Sequence, residues 1–551
     1  MPLRSYASMP FLLILVSSIL LFTGLSGTPM YILDEVKNAQ CAMEMMERGD
    51  WIVPTFNQEL RVAKPPLHYF FMRAGYMAWG NTPFGARFFS AVMGILTTGA
   101  CWAFVKRFSS VMHALLTCCI LLCSTHFLFE FRLAVPDPYL IFFCTAGLFC
   151  AYAYTLDQKL PTIICAAMAM ALGILSKGPV AIAIPGLAWL CFLIWERKLK
   201  ILFNWHIPLA VIVLLSVSTP WYLAVHYATQ GAWTRGFFLE NNLNRLSGPM
   251  EGHGGIFLVV PIFVWVGMLP ASAWIASLFS REINIWKHPI NRFSACVVLA
   301  NLVVFSFSGT KLPNYPMPAY PFLAILIGFS MCQLMHEKFK KRRYPLLLLV
   351  ILNLAISVGT YFAIRSEPAL KGIEYLAWGT TILPTGAIAA LFLHEPKRIS
   401  ASLLTIFTAY MLFHLVFFRV LYPKAYQRNP VEMSRLFWSA GKPIVAFQGF
   451  NPAFVFATNR QIRQYVDSAM LRQYLDLHPE TLVISRSDQC NVLEALGLMK
   501  QFGQRDLFEH HTTVIYARKG VSVAEHLSEV EQSPVKPGKE RLESPGPVKS
   551  Q

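Results

Sequence analysis

Thirteen apolar runs of spanning length constrain this chain more than any other feature. They lie near 11–27, 86–104, 110–130, 138–156, 161–176, 178–195, 207–226, 256–278, 291–308, 318–335, 345–363, 376–393 and 400–419. In lipid no water satisfies an open backbone, so runs of this kind cross as helices whose hydrogen bonds close internally. The expected fold class is therefore an α-helical polytopic membrane protein with about 13 transmembrane helices. The first run follows Arg4 and no Ala-x-Ala-like site comes before Asp34, so it reads as an uncleaved first helix rather than a signal peptide.

The formal charge of +17 resembles a nucleic-acid signal. Its distribution argues otherwise. Alternate short links hold Lys106-Arg107, Lys159, Arg197-Lys198-Lys200, Arg281 with Lys287, Lys338 with Lys340-Lys341-Arg342-Arg343, and Lys397-Arg398. Basic short loops mark the cytoplasmic side. The N-terminus is then inside, and the opposite loops and the C-terminal region are outside. One run that failed to span would invert everything beyond it. The division at Ser176-Lys177-Gly178-Pro179, inside 161–195, is the most exposed to that.

The first outer loop, 28–85, is too long for a simple connection. Val36, Ala39 and Met43 recur at helical spacing until Gly49-Asp50, and Pro65-Pro66 open a second amphipathic piece from Leu67 to Trp79. Such helices can lie on the bilayer surface and rim a cavity. Beyond about 420 the composition becomes mixed. Segments 444–447, 454–457, 481–484 and 513–516 read as strands and 463–474 as a helix, which predicts a small outer α/β domain over 420–525. The stretch 526–551 is rich in Pro, Glu, Ser and Lys and reads as disordered. Residues 1–419 form the membrane domain in this division. Most of the twelve cysteines lie in spans as packing residues; Cys41 and Cys490 fall in outer regions, where a disulfide between them is open.

Charges at the outer edge are the candidates for chemistry. Asp34-Glu35 follow the first run; capping of the next helix accounts for one carboxylate at most. A carboxylate here suits deprotonation of an acceptor hydroxyl. Arg61 and Lys64, the latter fixed by two prolines, suit a lipid-borne phosphate, against the simpler reading of snorkelling to headgroups. Arg132, Lys177 and Lys311 are cations of the same kind, on a side where basic residues are depleted. Asp137, in Pro136-Asp137-Pro138, reads alone as a helix cap, but it shares the outer side with Asp34. Arg245 and His253 are candidates for the acceptor or phosphate site, and Tyr315 and Tyr320 could line the same cavity or belong to an aromatic belt. His226 and His253 with Glu240 or Glu251 could hold a divalent metal, though no ligand spacing requires one; no cofactor is indicated. Walker A, dinucleotide-binding and HExxH motifs are absent.

Asp34-Glu35, Met46 to Pro54, Lys64-Pro65-Pro66-Leu67, Ala86-Arg87-Phe88, Pro136-Asp137-Pro138, Ser176-Lys177-Gly178, Pro220-Trp221 and Ser308 to Tyr315 resemble the lipid A aminoarabinose transferase family. That family, glycosyltransferase family 83, lies within the dolichyl-phosphate-mannose-protein mannosyltransferase superfamily. The resemblance implies a GT-C fold and an inverting transferase of the bacterial inner membrane. Such an enzyme takes a sugar from undecaprenyl phosphate and places it on lipid A, lipopolysaccharide core or another envelope glycan at the periplasmic face. It implies that Asp34 is the principal catalytic or acceptor-positioning carboxylate, Asp137 the second aspartate, and Lys64 the carrier-phosphate lysine; Arg61, Arg245 and Lys177 are further carrier-phosphate candidates from their charge and position. Glu35, Lys311, Tyr315 and His253 are secondary candidates. The family's glutamate before the lysine, associated with a metal, is replaced here by Ala63, which leaves sugar and acceptor open. The competing classes are a transporter or flippase for lipid-linked glycans, which needs polar groups deep in its spans, and a non-catalytic envelope assembly protein.

Overall fold

The computed structural model describes residues 8–243, 255–280, 283, 285–335, 343–395, 398–507 and 511–521. The chain folds as two compact units. One runs to Asn429 and takes in Asn451–Gln461; the other holds Pro430–Phe450 and the chain from Ile462.

The larger unit is helical. It begins α1 (Met9–Phe22), α2 (Leu33–Glu47), the hairpin β1 (Thr55–Phe56) and β2 (Glu59–Leu60), α3 (Leu67–Trp79), α4 (Pro83–Phe108), α5 (Val111–Cys123), α6 (Thr125–Glu130), α7 (Asp137–Asp157), α8 (Leu160–Lys177), α9 (Val180–Trp195) and α10 (His206–Ala228). Among the described residues nine helices are long and apolar enough to cross a membrane. The segments Val259–Gly267 and Ala271–Phe279, bent by 119°, make a tenth if taken as one span. This is fewer than the thirteen expected. Hydropathy sums over an apolar run whether or not the helix continues through it. Helix α1 stops after 14 residues, about 21 Å, short of a ~30 Å bilayer core. The run at 110–130 is broken at Ser124, whose hydroxyl accepts from Phe127 N to start α6 and donates to the Gly267 carbonyl. Helix α9 has 16 residues.

Burial sorts the spans. The most apolar window of the helix at Met317–Leu334 is 83% buried and that of α7 is 72% buried, whereas those of α10 and Tyr344–Ser366 are 11% buried. The latter two expose Ile212, Leu215, Ile351 and Phe362, a surface suited to lipid tails.

The loop 28–85 folds against this bundle. Val36, Ala39 and Met43 are buried as their spacing predicts, but so are Cys41, Ala42 and Met45, so α2 is enclosed on most sides. Its Glu44 accepts from Thr55 Oγ1 (2.6 Å), Asn57 N (2.7 Å) and Gln58 N (3.1 Å). Asn57 and Gln58 both have positive φ, the geometry of a two-residue hairpin turn. This clamp, with Trp233 Nε1 donating to the Arg61 carbonyl (3.0 Å), fixes where Arg61 and Lys64 emerge. After Pro65-Pro66, α3 packs on α4 so closely that a Cβ at Gly75 would meet the Gly85 carbonyl oxygen at 2.0 Å.

The smaller unit carries a five-stranded sheet. Its strands are β3 (Ile444–Phe447), β4 (Arg463–Tyr465), β5 (Leu482–Arg486), β6 (Leu498–Arg505) and β7 (Thr512–Arg518), in spatial order β4-β3-β5-β7-β6. Strands β4, β3 and β5 are parallel; β7 is antiparallel to both β5 and β6. Leu471 and Leu475 of helix Ser468–Leu477 pack with Val445, Val483 and Tyr516. The structure differs from the sequence reading at three places beyond residue 430, the first of them in the segment Asn451–Gln461 that belongs to the larger unit. Residues 454–457 are helical, within Ala453–Thr458, started by Asn451 accepting from Ala453 N and ended by Asn459 at φ +49°. The segment 463–474 is a strand and then a helix, because Asp467 accepts from Ala469 N and caps at that point. Strand β6 was unread, since its edge position leaves Met499, Lys500 and Gln504 polar or exposed rather than alternating.

Candidate active site

Two carboxylate–cation clusters face one cleft of the larger unit. Asp34 sits in the first turn of α2, where the helix dipole favours its ionised form. Its side chain makes no cap hydrogen bond. Instead Arg61 Nη2 stands 3.2 Å from Oδ1 and Lys64 Nζ 3.6 Å from Oδ2, with the Asp34 side chain 47% exposed. One turn on, Asn38 Oδ1 accepts from the same Arg61 Nη2 at 3.0 Å. Tyr69 OH accepts from Arg61 Nε at 3.4 Å. Burial works to raise the Asp34 carboxyl, but Lys64 and Arg61 outweigh it and hold the group well below the usual carboxylate range. Burial lowers Arg61, and Tyr69 and Asp34 more than reverse this. His68 is wholly buried with both ring nitrogens unpartnered; burial and then Lys64 push it well below the ordinary histidine range, so it is neutral.

The second cluster begins at Asp137, in the first turn of α7. It too makes no cap bond. Its Oδ1 accepts from Lys177 Nζ at 2.5 Å and from Asn314 Nδ2 at 3.1 Å. Lys177 closes α8 and lies 5.1 Å from the Tyr315 ring centroid. Gly178 follows at φ +88°, and a Cβ there would meet the Phe237 ring at 2.7 Å, so the tight turn into α9 requires glycine.

Lys64, Lys177 and Tyr315 line a cleft of about 410 Å³ whose other walls are mainly apolar, including Leu140, Val180 and Phe238. A cation pair at one end of an apolar slot is what an anionic head on a hydrocarbon tail requires.

Other candidates are placed elsewhere. Glu35 is wholly buried and is bound by Arg87 through Nε (2.7 Å) and Nη2 (2.8 Å), while also accepting from Ala134 N (2.9 Å). It braces α2, α4 and the link before α7, and does not act as a partner of Asp34. Arg132 donates to the Leu20, Leu21 and Thr23 carbonyls and so caps the C-terminus of α1 rather than binding phosphate. Lys311 is buried and donates to the Ser308 carbonyl at 2.8 Å. Tyr320 is buried against His126, at 2.8 Å. Arg245, Glu251 and His253, along with 526–551 and several basic link residues, lie outside the described residues. Cys41 and Cys490 are free thiols. Sequence reasoning missed Asn38, His68, Asn314 and Glu130. Glu130 had a signal, a carboxylate closing an apolar run.

A family model described as dolichyl-phosphate-mannose-protein mannosyltransferase matches residues 63–223, which include Lys64, Asp137 and Lys177. The crystal structure of ArnT from Cupriavidus metallidurans bound to undecaprenyl phosphate matches with a TM-score of 0.79 at 19% identity, covering 94% of this chain and 99% of that one. The chain shares the GT-C-type membrane fold of that structure. In sequence, the undecaprenyl phosphate-alpha-4-amino-4-deoxy-L-arabinose arabinosyl transferase 2 of Pseudomonas fluorescens is similar, 29% identical over 62% of this chain. The corresponding arabinosyl transferase of Pseudomonas aeruginosa strain UCBPP-PA14 is 29% identical over 70% of it. The chain spans 62% and 66% of the length of these two.

The GT-C cleft does not carry a donor set for a divalent metal among the described residues. No three His, Cys, Asp or Glu side chains converge there, position 63 is alanine, and His226 is turned to Thr234 Oγ1 at 2.7 Å.

Proposed function

We propose that this GT-C protein is an inverting glycosyltransferase. It moves a sugar from undecaprenyl phosphate to lipid A, lipopolysaccharide core or another envelope glycan, at the periplasmic face of the bacterial inner membrane. The observation that carries this reading is the apolar cleft headed by Lys64 and Lys177 beside the carboxylates of Asp34 and Asp137. The names of the arabinosyl transferases support the donor class.

In this reading the donor's phosphodiester sits between Lys64 and Lys177, and its tail follows the apolar wall. The acceptor oxygen attacks the anomeric carbon as the carbon–oxygen bond to phosphate breaks, and the lipid phosphate leaves with the bonding pair. Asp34 takes the acceptor proton, and the lysines stabilise the charge that grows on the leaving phosphate. At rest Asp34 is a weak base, because Lys64 and Arg61 hold it ionised. An arriving phosphate competes for those cations and so raises its basicity only when donor is present. Asp137 keeps Lys177 in place and orients the sugar.

The topology belongs to the same proposal. The three shorter apolar helices, α1, α5 and α9, complete the nine long helices and the bent pair to thirteen crossings in a locally thinned bilayer. The N-terminus is then cytoplasmic, with 1–419 as catalytic domain and 420–525 as a periplasmic domain; the change from the larger to the smaller compact unit after Asn429 supports a division in this region, although Asn451–Gln461 return to the larger unit. The test is mass spectrometry of lipid A and core from cells with the gene, without it, and with Asp34→Asn. A mass increment present only with the intact gene supports transfer and identifies the sugar. No increment in any envelope glycan refutes it.

A further inference from the structure

Between the two clusters lies a third carboxyl. Glu130 ends α6, seven residues before Asp137, and is 4% exposed. Among the described residues its carboxyl has no hydrogen-bond or ion-pair partner. The link behind it is tied down: Arg132 donates to α1 and Ala134 N to Glu35. The groups that face it are Asp137 of α7, Lys177 of α8, Asp34 of α2 and Lys64 of the loop before α3. Tyr320, hydrogen-bonded to His126, faces it from the helix at Met317–Leu334.

We propose that Glu130 is a positioning residue that works in its neutral form, keeping the cleft at the single positive charge that a lipid phosphodiester matches. Three cations, Arg61, Lys64 and Lys177, stand against two carboxyl groups ion-paired to them, Asp34 and Asp137. An ionised Glu130 would cancel the surplus and compete with Asp137 for Lys177. Two independent features keep it protonated. It is 4% exposed with no donor among the described residues to stabilise an anion, and the Asp137 carboxyl, paired to Lys177, is its neighbour. In agreement, burial and then Asp137 push its carboxyl well above the ordinary glutamate range. The sign follows: as pH rises through that raised value Glu130 gains its charge, and affinity for a phosphodiester falls. The neighbouring histidines do not interfere, since burial pushes His126 down to about 4 and His68 well below its usual range.

The inference rests on the transferase reading for the nature of the ligand, but binding tests it without turnover. The probe is polyprenyl-phosphoryl-glucose, whose single charge does not titrate, bound to the full-length protein in nanodiscs. The pH is varied from about 5 to about 9, between the ordinary carboxylate and lysine ranges. Wild type should lose about tenfold in affinity across the window, the effect of one added charge nearby. Glu130→Gln, which stays neutral, should bind with no such slope, and its melting curve checks folding. The same slope in both proteins overturns the inference, as does a Glu130→Gln protein that folds but loses affinity already at the acid end. A flat Glu130→Gln profile with no sugar transfer by the wild type would instead overturn the transferase reading and leave Glu130 assigned.

Discussion

Asp34 and Glu35 are neighbours in sequence with similar side chains, and the molecule puts them to opposite uses. On a helix they point about 100° apart. Glu35 turns inward, where Arg87 grips it through two nitrogens and the Ala134 amide adds a third donor. Asp34 turns to the cleft, half exposed, and is held by two longer pairs at 3.2 and 3.6 Å. A short, bidentate, dry ion pair is a brace, because separating it leaves a buried charge. A longer pair at a cleft wall is exchangeable, because an incoming anion can replace one partner. The difference between scaffold and chemistry here is one of geometry, not residue type.

The largest expected effect belongs to Asp34→Asn. It should lower sugar transfer by about 10²–10⁴-fold, as loss of a general base does, with the melting temperature in detergent only slightly below wild type. Retained turnover in the purified variant would break the comparison. Glu35→Ala should do the reverse and destabilise by about 3–5 kcal/mol, the cost of orphaning buried Arg87; a melting curve like that of wild type would reduce the brace to a bystander. Lys64→Ala should weaken donor binding by about 1.5–3 kcal/mol, a charge-assisted hydrogen bond to phosphate, read as the dissociation constant for undecaprenyl phosphate. An unchanged constant would leave Lys64 as a headgroup anchor. The smallest effect is in pH. The folded carboxyl of Asp34 is depressed below its ordinary value of 3.8, so its ion pairs contribute fully above that value. That contribution is lost as pH falls through the lower folded value. The gap in melting temperature between wild type and Asp34→Asn should therefore be constant from neutral pH down to about 4 and close below it.

Much of the architecture was legible. Helix α3 begins and ends where Pro65-Pro66 and Gly80 put it, and α2 ends before Gly49, because proline and glycine act on the backbone locally. The strands at 444–447, 481–484 and 513–516 were legible for a similar reason: short β-branched runs are buried on a sheet. The helix at Ala453–Thr458 was not, since an apolar run of four residues has no period to distinguish strand from helix. In the site, Asp34, Lys64, Asp137 and Lys177 could be picked out as charges at the outer edge. That Lys177 belongs to Asp137, 40 positions away, and Lys64 to Asp34, 30 away, is a matter of packing.

The sequence by itself determined that this chain belongs in a membrane, where prolines and glycines start and stop its helices, and which charges beside the apolar runs are costly enough to need a reason. Those follow from hydropathy and local backbone chemistry, which each residue carries with it. Only the tertiary structure decided which charges brace and which face the cleft, that Arg132 caps a helix, and that Glu130 has no ion-pair partner among the described residues. A charge acquires its role from what surrounds it within a few ångströms, and in a bundle of crossing helices those neighbours come from distant parts of the chain.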